Sequence, residues 1–281
     1  GFGLAGPMTP AYAQALPKTP IEAPEHPPGS FANVVDKVKP GVVAVKVKLD
    51  DSADDDDDSA GGPNLQQVPP QLREFFKRFG QGGPGQGGPG QGFGMPKRQG
   101  QRGAMGSGFI ISADGYVVTN NHVVEAATKG GGSISVRLAS GEVIGARVVG
   151  TAPSYDLAVL QLGRVAKMPP PLAVGTSADL KVGQSAFAIG NPFGLGGTVT
   201  AGIVSARGRD IGAGPYDDFL QIDAPINKGN SGGPLFNMNG EVIGINTAIL
   251  SPTGGSVGIG FAVPSNNASQ VIDQLREFGE V

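Results

Sequence analysis

The chain has 281 residues, of which 39 % are apolar and 6 % aromatic, with no tryptophan and no cysteine. That length suffices for a sizeable core in one large domain or two small ones, and the missing cysteine excludes disulfides and thiolate metal sites. The net charge of −3 comes with no basic stripe interleaved with aromatics, so nucleic acid is not an expected partner, and no apolar run approaches the roughly 18 residues that would predict stable membrane insertion.

Glycine (48) and proline (24) form about a quarter of the chain, and much of that excess lies before residue 107. Residues 1–29 are rich in proline and alanine and read as an unstructured leader. Within it, Ala11–Ala15 (AYAQA) resembles the small-residue end of a secretory signal, so the leader reads as the remnant of an export signal. His26 falls in this segment and is expected to be inert.

From Ser30 the character changes. SFANVVDKVKP places an N-cap at Ser30 and apolar residues at Phe31, Val34, Val35 and Val38, a short amphipathic helix ended by Pro40. GVVAVKVKL then alternates as a strand does. Residues 50–105 read as an insert. It opens with seven aspartates between Asp50 and Asp58, a solvated acidic tether rather than a Ca²⁺ loop, because the turn glycines and ligand spacing are missing. Leu72, Phe75, Phe76 and Phe79 follow at i, i+3, i+4, i+7, predicting a short helix whose aromatic face meets another subunit or the active site. A Gly/Pro/Gln repeat completes the insert.

Between Ser107 and Pro264 short apolar runs alternate with turns: D-G at Asp114–Gly115, S-G at Ser140–Gly141 and N-G at Asn239–Gly240. Regularly spaced short strands predict an all-β barrel or sandwich architecture. The chain then predicts an amphipathic helix with Val271, Ile272, Leu275 and Phe278 on one face, stopped at Gly279.

Three residues carry the chemistry. GNSGGP, residues 229–234, places Ser231 among glycines. A serine hydroxyl is a poor nucleophile until a neighbouring base takes its proton. The glycines let the backbone turn tightly and aim the N–H groups of Gly229 and Ser231 at one developing oxyanion. His122, in TNNHVVEAA, supplies the base. Asp156, at the mouth of the apolar run DLAVLQL, supplies a carboxylate that an imidazole N–H would satisfy. Seen alone, each has a bland alternative: a structural histidine, a strand-capping aspartate, a glycine turn. Together they run His–Asp–Ser with gaps of 34 and 75 residues, the order of the chymotrypsin barrel pair rather than of subtilisin-like or α/β-hydrolase folds.

TNNHVV, DLAVL and GNSGGPL, with GNPFGLGGTVTAGIVSA between them, resemble the HtrA/Deg serine proteases of bacterial envelopes. The resemblance runs from about Ser30 to Val281. It implies an all-β, chymotrypsin-like pair of six-stranded β-barrels with short terminal helices. The implied division is a leader to residue 29, a protease domain over 30–264 carrying the insert, and a helix over 265–281 leading towards the position of a PDZ domain. It implies a serine endopeptidase with His122, Asp156 and Ser231 catalytic and no metal or cofactor. INKGNSG resembles the oxyanion loop, with Gly229, Asn230 and Ser231. Ile226, Ala248 and Ile249 map onto the pocket that receives the P1 side chain, which implies small or medium aliphatic residues. The implied substrates are unfolded or misfolded envelope proteins, the implied compartment the periplasm, and the implied assembly a homo-trimer or larger. A chaperone-like binder with little cleavage is the rival reading.

Overall fold

The structure is a computed structural model, and the residues it describes are 30–49, 103–191, 197–212, 218–227, 229–249 and 256–281. The leader, the aspartate run, the Leu72–Phe79 segment and the Gly/Pro/Gln repeat lie outside the described residues.

The alternation seen in sequence becomes β1 (Val42–Leu49), with Val45 and Val47 buried and Lys46 and Lys48 exposed. β1 pairs with β2 (Met105–Ile110) on one side and β4 (Gly132–Arg137) on the other. With β3 (Tyr116–Thr119), β5 (Val143–Ala152) and β6 (Leu157–Leu162) these strands close in the order β1-β2-β3-β6-β5-β4, antiparallel throughout. The second barrel comprises β7 (Ser185–Gly190), β8 (Thr198–Arg209), β9 (Phe219–Ile222), β10 (Pro234–Phe236), β11 (Val242–Ile249) and β12 (Gly260–Pro264). It closes in the order β10-β11-β12-β9-β8-β7. Closure leaves no unpaired sheet edge in either barrel, and the expected pair of six-stranded barrels is present.

Each barrel has its own core. Val43, Val45, Ile110, Val117, Val136 and Leu160 fill the first. Ala188, Val204, Leu220, Ile222, Leu235 and Ile243 fill the second. Outside that second core, Phe187 and Phe236 face each other across β7 and β10 with ring centroids 5.0 Å apart. Full burial of such side chains contributes on the order of 1.5–3 kcal/mol each. The turn signals are realised as hairpins: Asp114–Gly115 joins β2 to β3, Ser140–Gly141 joins β4 to β5, and Asn239–Gly240 joins β10 to β11.

Among the described residues three helices flank the barrels. α1 (Ala32–Val38) runs into a 3₁₀ turn at Lys39–Gly41 that contains Pro40. It starts two residues beyond the expected cap at Ser30. α2 (Asn121–Gly130) follows β3 directly and was not expected from sequence. α3 (Ser265–Phe278) buries Val271, Ile272 and Leu275 as expected, whereas Phe278, the last helical residue, is 68 % exposed. Gly279 ends it with φ 81° and an N–H donated to Leu275 O at 3.0 Å. α3 packs on β5 and β6 of the first barrel and on β11 and β12 of the second, fixing one barrel against the other.

Candidate active site

His122 lies in the first turn of α2, immediately after β3 delivers the chain through Thr119 and Asn120. Asp156 follows the 3₁₀ turn Pro153–Tyr155 and precedes β6. β3 and β6 are paired, with Thr119 opposite Ala158, so neighbouring strand ends present the two residues to each other. Asp156 has φ 52° and is the one non-glycine residue with positive φ among the described residues. Aspartate enters this left-handed region more readily than most side chains, and strained backbone of this kind gathers at working sites.

The bend lets Asp156 meet the start of α2 with almost every polar atom. Its carbonyl accepts from Asn120 Nδ2 at 2.8 Å and from Asn121 N at 3.1 Å. Its Oδ1 accepts from His122 N at 3.0 Å, and its Oδ2 lies 2.7 Å from His122 Nδ1. A carboxylate only accepts, so Nδ1 carries the proton and Nε2 of the neutral ring keeps its lone pair. Burial opposes charging of this imidazole. The Asp156 charge and hydrogen bond, with a smaller contribution from Glu125, outweigh it and hold the His122 pKa above the ordinary imidazole value. The side chains keep 17 % (His122) and 22 % (Asp156) of their surface exposed, enough for a ring edge to meet a substrate.

Thr247 comes from the opposite barrel. It is buried on β11, and its hydroxyl also donates to Asp156 Oδ2. The carboxylate is thus held from both barrels. The sequence does not single out Thr247, whose only signal is a hydroxyl beside Asn246 in a largely apolar strand.

Ser231 sits in the turn between the 218–227 segment and β10. Asn230 N donates to Asn227 O at 3.1 Å, Gly232 N to Asn246 O at 2.8 Å, and Gly233 N to Asn230 O at 2.9 Å. The Asn230 amide is therefore turned inward. Of the three expected oxyanion amides, the described residues show no acceptor engaged by Gly229 N–H or Ser231 N–H. Gly232 has φ 82°, and a Cβ there would lie 2.3 Å from Ser107 O, 2.4 Å from Thr119 Oγ1 and 3.0 Å from Asn120 N. A Cβ on Gly106 would lie 2.6 Å from Val123 Cγ2 and 3.0 Å from Ser231 O. Only glycine fits either place. These approaches bring the Ser231 backbone within a side chain's breadth of the helical turn that carries His122.

The expected P1 pocket looks different. Ile226 and Ile249 are 2 % and 4 % exposed and belong to the packed core of the second barrel. A Cβ on Gly260 would lie 3.0 Å from Ile226 Cγ1, so Ile226 fills the space that glycine leaves. Neither side chain lines an open cleft. The Ala248 side chain lies outside the described residues, although its backbone belongs to β11.

Comparison with known proteins bears on the fold and the family. Residues 106–245 match the trypsin-like peptidase domain. A protein of Brucella suis biovar 1 (strain 1330) named probable periplasmic serine endoprotease DegP-like is 49 % identical over 99 % of this chain and 54 % of its own length. A protein of the same name from Rhizobium meliloti (strain 1021) is 45 % identical over 99 % of this chain and 55 % of its own. The chain thus spans about half the length of these relatives. Among solved structures, the HtrA-type protease AlgW with decapeptide superposes with a TM-score of 0.65 at 37 % identity, covering 90 % of this chain and 69 % of that one. Deg5 gives 0.63 at 30 % identity, covering 89 % and 95 %. The identity with AlgW and Deg5 over most of their lengths, on the same double barrel, places the chain in the HtrA/Deg family of serine proteases.

Proposed function

We propose that the chain is a serine endopeptidase in which Ser231 attacks, His122 moves the proton and Asp156 orients His122. The observation that carries this reading is the 2.7 Å contact between His122 Nδ1 and Asp156 Oδ2, with the Ser231 loop packed against the same turn. That contact fixes the tautomer whose Nε2 can accept the hydroxyl proton.

Ser231 Oγ attacks the scissile carbonyl carbon and its proton passes to His122 Nε2. The C–N bond then breaks, the imidazolium gives that proton to the leaving amine, and an ester to Ser231 remains. Water, deprotonated by His122, hydrolyses the ester. Gly229 and Ser231 N–H groups receive the oxyanion, each such donor stabilising the transition state by roughly 2.7–4 kcal/mol. The scheme calls for no metal or cofactor.

Unfolded or misfolded envelope proteins fit as substrates. A preference for small or medium aliphatic P1 residues rests on the likeness to the family alone, since Ile226 and Ile249 are packed into the second core. The names of the relatives support a periplasmic location, and the family a homo-trimeric or larger assembly. Residues 30–264 form the protease domain in this reading.

β-Casein digestion by the wild type and by Ser231→Ala tests it. Casein is expected to disappear with the wild type and persist with the variant. Equal loss in both would remove Ser231 from the chemistry, and binding without loss in either would favour the chaperone-like reading.

A further inference from the structure

Ser107 lies on β2 of the first barrel, is fully buried, and spends every polar group it has on the site. Its N–H donates to Ser231 O at 2.8 Å. Its hydroxyl donates to Gly229 O and accepts from Asn191 N at 2.7 Å. Its carbonyl accepts from Thr119 Oγ1 at 2.7 Å, three residues before His122. One residue of the first barrel therefore grips the nucleophile loop of the second at both ends of Gly229–Ser231.

A carbonyl and the following amide N–H share one rigid plane. Ser107 Oγ holds the Gly229 carbonyl, and Asn227 O holds the Asn230 N–H of the same peptide at 3.1 Å. That plane is consequently pinned at both edges. Its orientation decides which way the peptides on either side turn, and those peptides carry the Gly229 and Ser231 N–H groups. Glycine at 229, with φ 96°, would otherwise let the backbone pivot.

Resting on the reading of Ser231 as nucleophile, we propose that the Ser107 side chain is a positioning residue for the oxyanion amides. It touches no substrate. It fixes from the opposite barrel the peptide plane on which the two donors depend. Removing the hydroxyl takes away the donor that holds the half-buried Gly229 C=O, and the peptide plane is then free to rotate. Gly106, next to Ser107, lets the nucleophile loop come this close, since a Cβ there would lie 3.0 Å from Ser231 O.

The test compares wild type, Ser107→Ala, Ser107→Cys and Ser231→Ala as full chains. Active sites are counted by fluorophosphonate titration, steady-state kinetics use a fluorogenic peptide, and affinity is measured for a peptide boronic acid, whose tetrahedral adduct bears the oxyanion. Ser107→Ala is expected to lower kcat per titrated site about 10- to 100-fold with KM within about twofold. Boronate affinity should fall by the same factor. Ser107→Cys, which keeps a weak donor at the same place, should lie between. An unchanged kcat per titrated site with unchanged boronate affinity, whatever happens to the melting temperature, would show a merely structural serine and overturn the inference. Hydrolysis by Ser231→Ala at the wild-type rate would instead overturn the nucleophile reading beneath it.

Discussion

The two barrels hold their shares of the site by different means. In the first, His122 and Asp156 are locked by contacts made within that barrel: two to the Asp156 carbonyl and two to its carboxylate, all from residues 120–122. In the second, the Ser231 loop is held from both barrels. Two of its carbonyls are held by Ser107 of the other barrel, while its own barrel contributes the turn at Asn227 and the bonds of Asn246 to Gly232 and Gly233. The base is therefore preformed by local structure, while the oxyanion loop needs correct docking between barrels. A disturbance of the barrel interface should reach the oxyanion loop first and leave the imidazole in place.

Changing the preformed half chemically, without changing its shape, should produce the largest effect. Asn in place of Asp156 keeps the volume and tolerates positive φ. Its amide N–H would face the ring nitrogen, driving the imidazole proton to Nε2 where it cannot act as base. Asp156→Asn is expected to lower kcat about 10⁴-fold with little change in KM or in melting temperature. Peptide hydrolysis with a thermal melt checks both. A large loss of thermal stability would mean that the carboxylate is chiefly structural.

Thr247 tests how self-sufficient the first barrel's pair is, because it is the carboxylate's tie to the second. Thr247→Val keeps the shape and removes the hydroxyl. A hydrogen bond to a charged group is worth about 1.5–3 kcal/mol in stability. Only part of that bears on the transition state, since His122 still orients Asp156, so kcat/KM should fall about tenfold. A loss as deep as that of Asp156→Asn would show that the pair depends on the second barrel after all, and would erase the contrast between the halves.

How much of this could be read from the sequence follows the same division. The alternation of Val42–Leu49, the turn dipeptides and the His–Asp–Ser order are local or sequential signals, and they led to the barrels and the family. What escaped is set by contacts between segments distant in the chain. Ser107 and Thr247 reach partners 122 and 91 residues away, and nothing about a serine or threonine in a strand announces such a partner. α2 escaped because its helical pattern is short and follows a strand without a turn signal. Asn230 belongs to the expected loop, but the direction of its amide is a matter of backbone rotation that composition does not encode. Ile226 and Ile249 matched pocket positions, but both pack in the second core, Ile226 in the space that Gly260 leaves on a different strand.

The smallest expected effect concerns the charge around His122. Glu125 stands one turn further along α2, mostly buried and paired with the exposed Lys129. Its negative charge adds to that of Asp156 in raising the imidazole pKa. His122 must be neutral to accept the hydroxyl proton, so activity falls as pH drops through that pKa. Replacing the carboxylate in Glu125→Gln removes part of what favours the imidazolium. The pKa then drops, and the acid limb of kcat/KM should move to lower pH. The shift should be small, because Lys129 already offsets part of the charge and Asp156, in direct contact, contributes more. A pH–rate profile of wild type and variant reads the displacement, and kcat on the neutral plateau should stay within about twofold. A shift to higher pH would contradict the sign, and a shift of a full unit would mean that Glu125 rather than Asp156 dominates the field at the base.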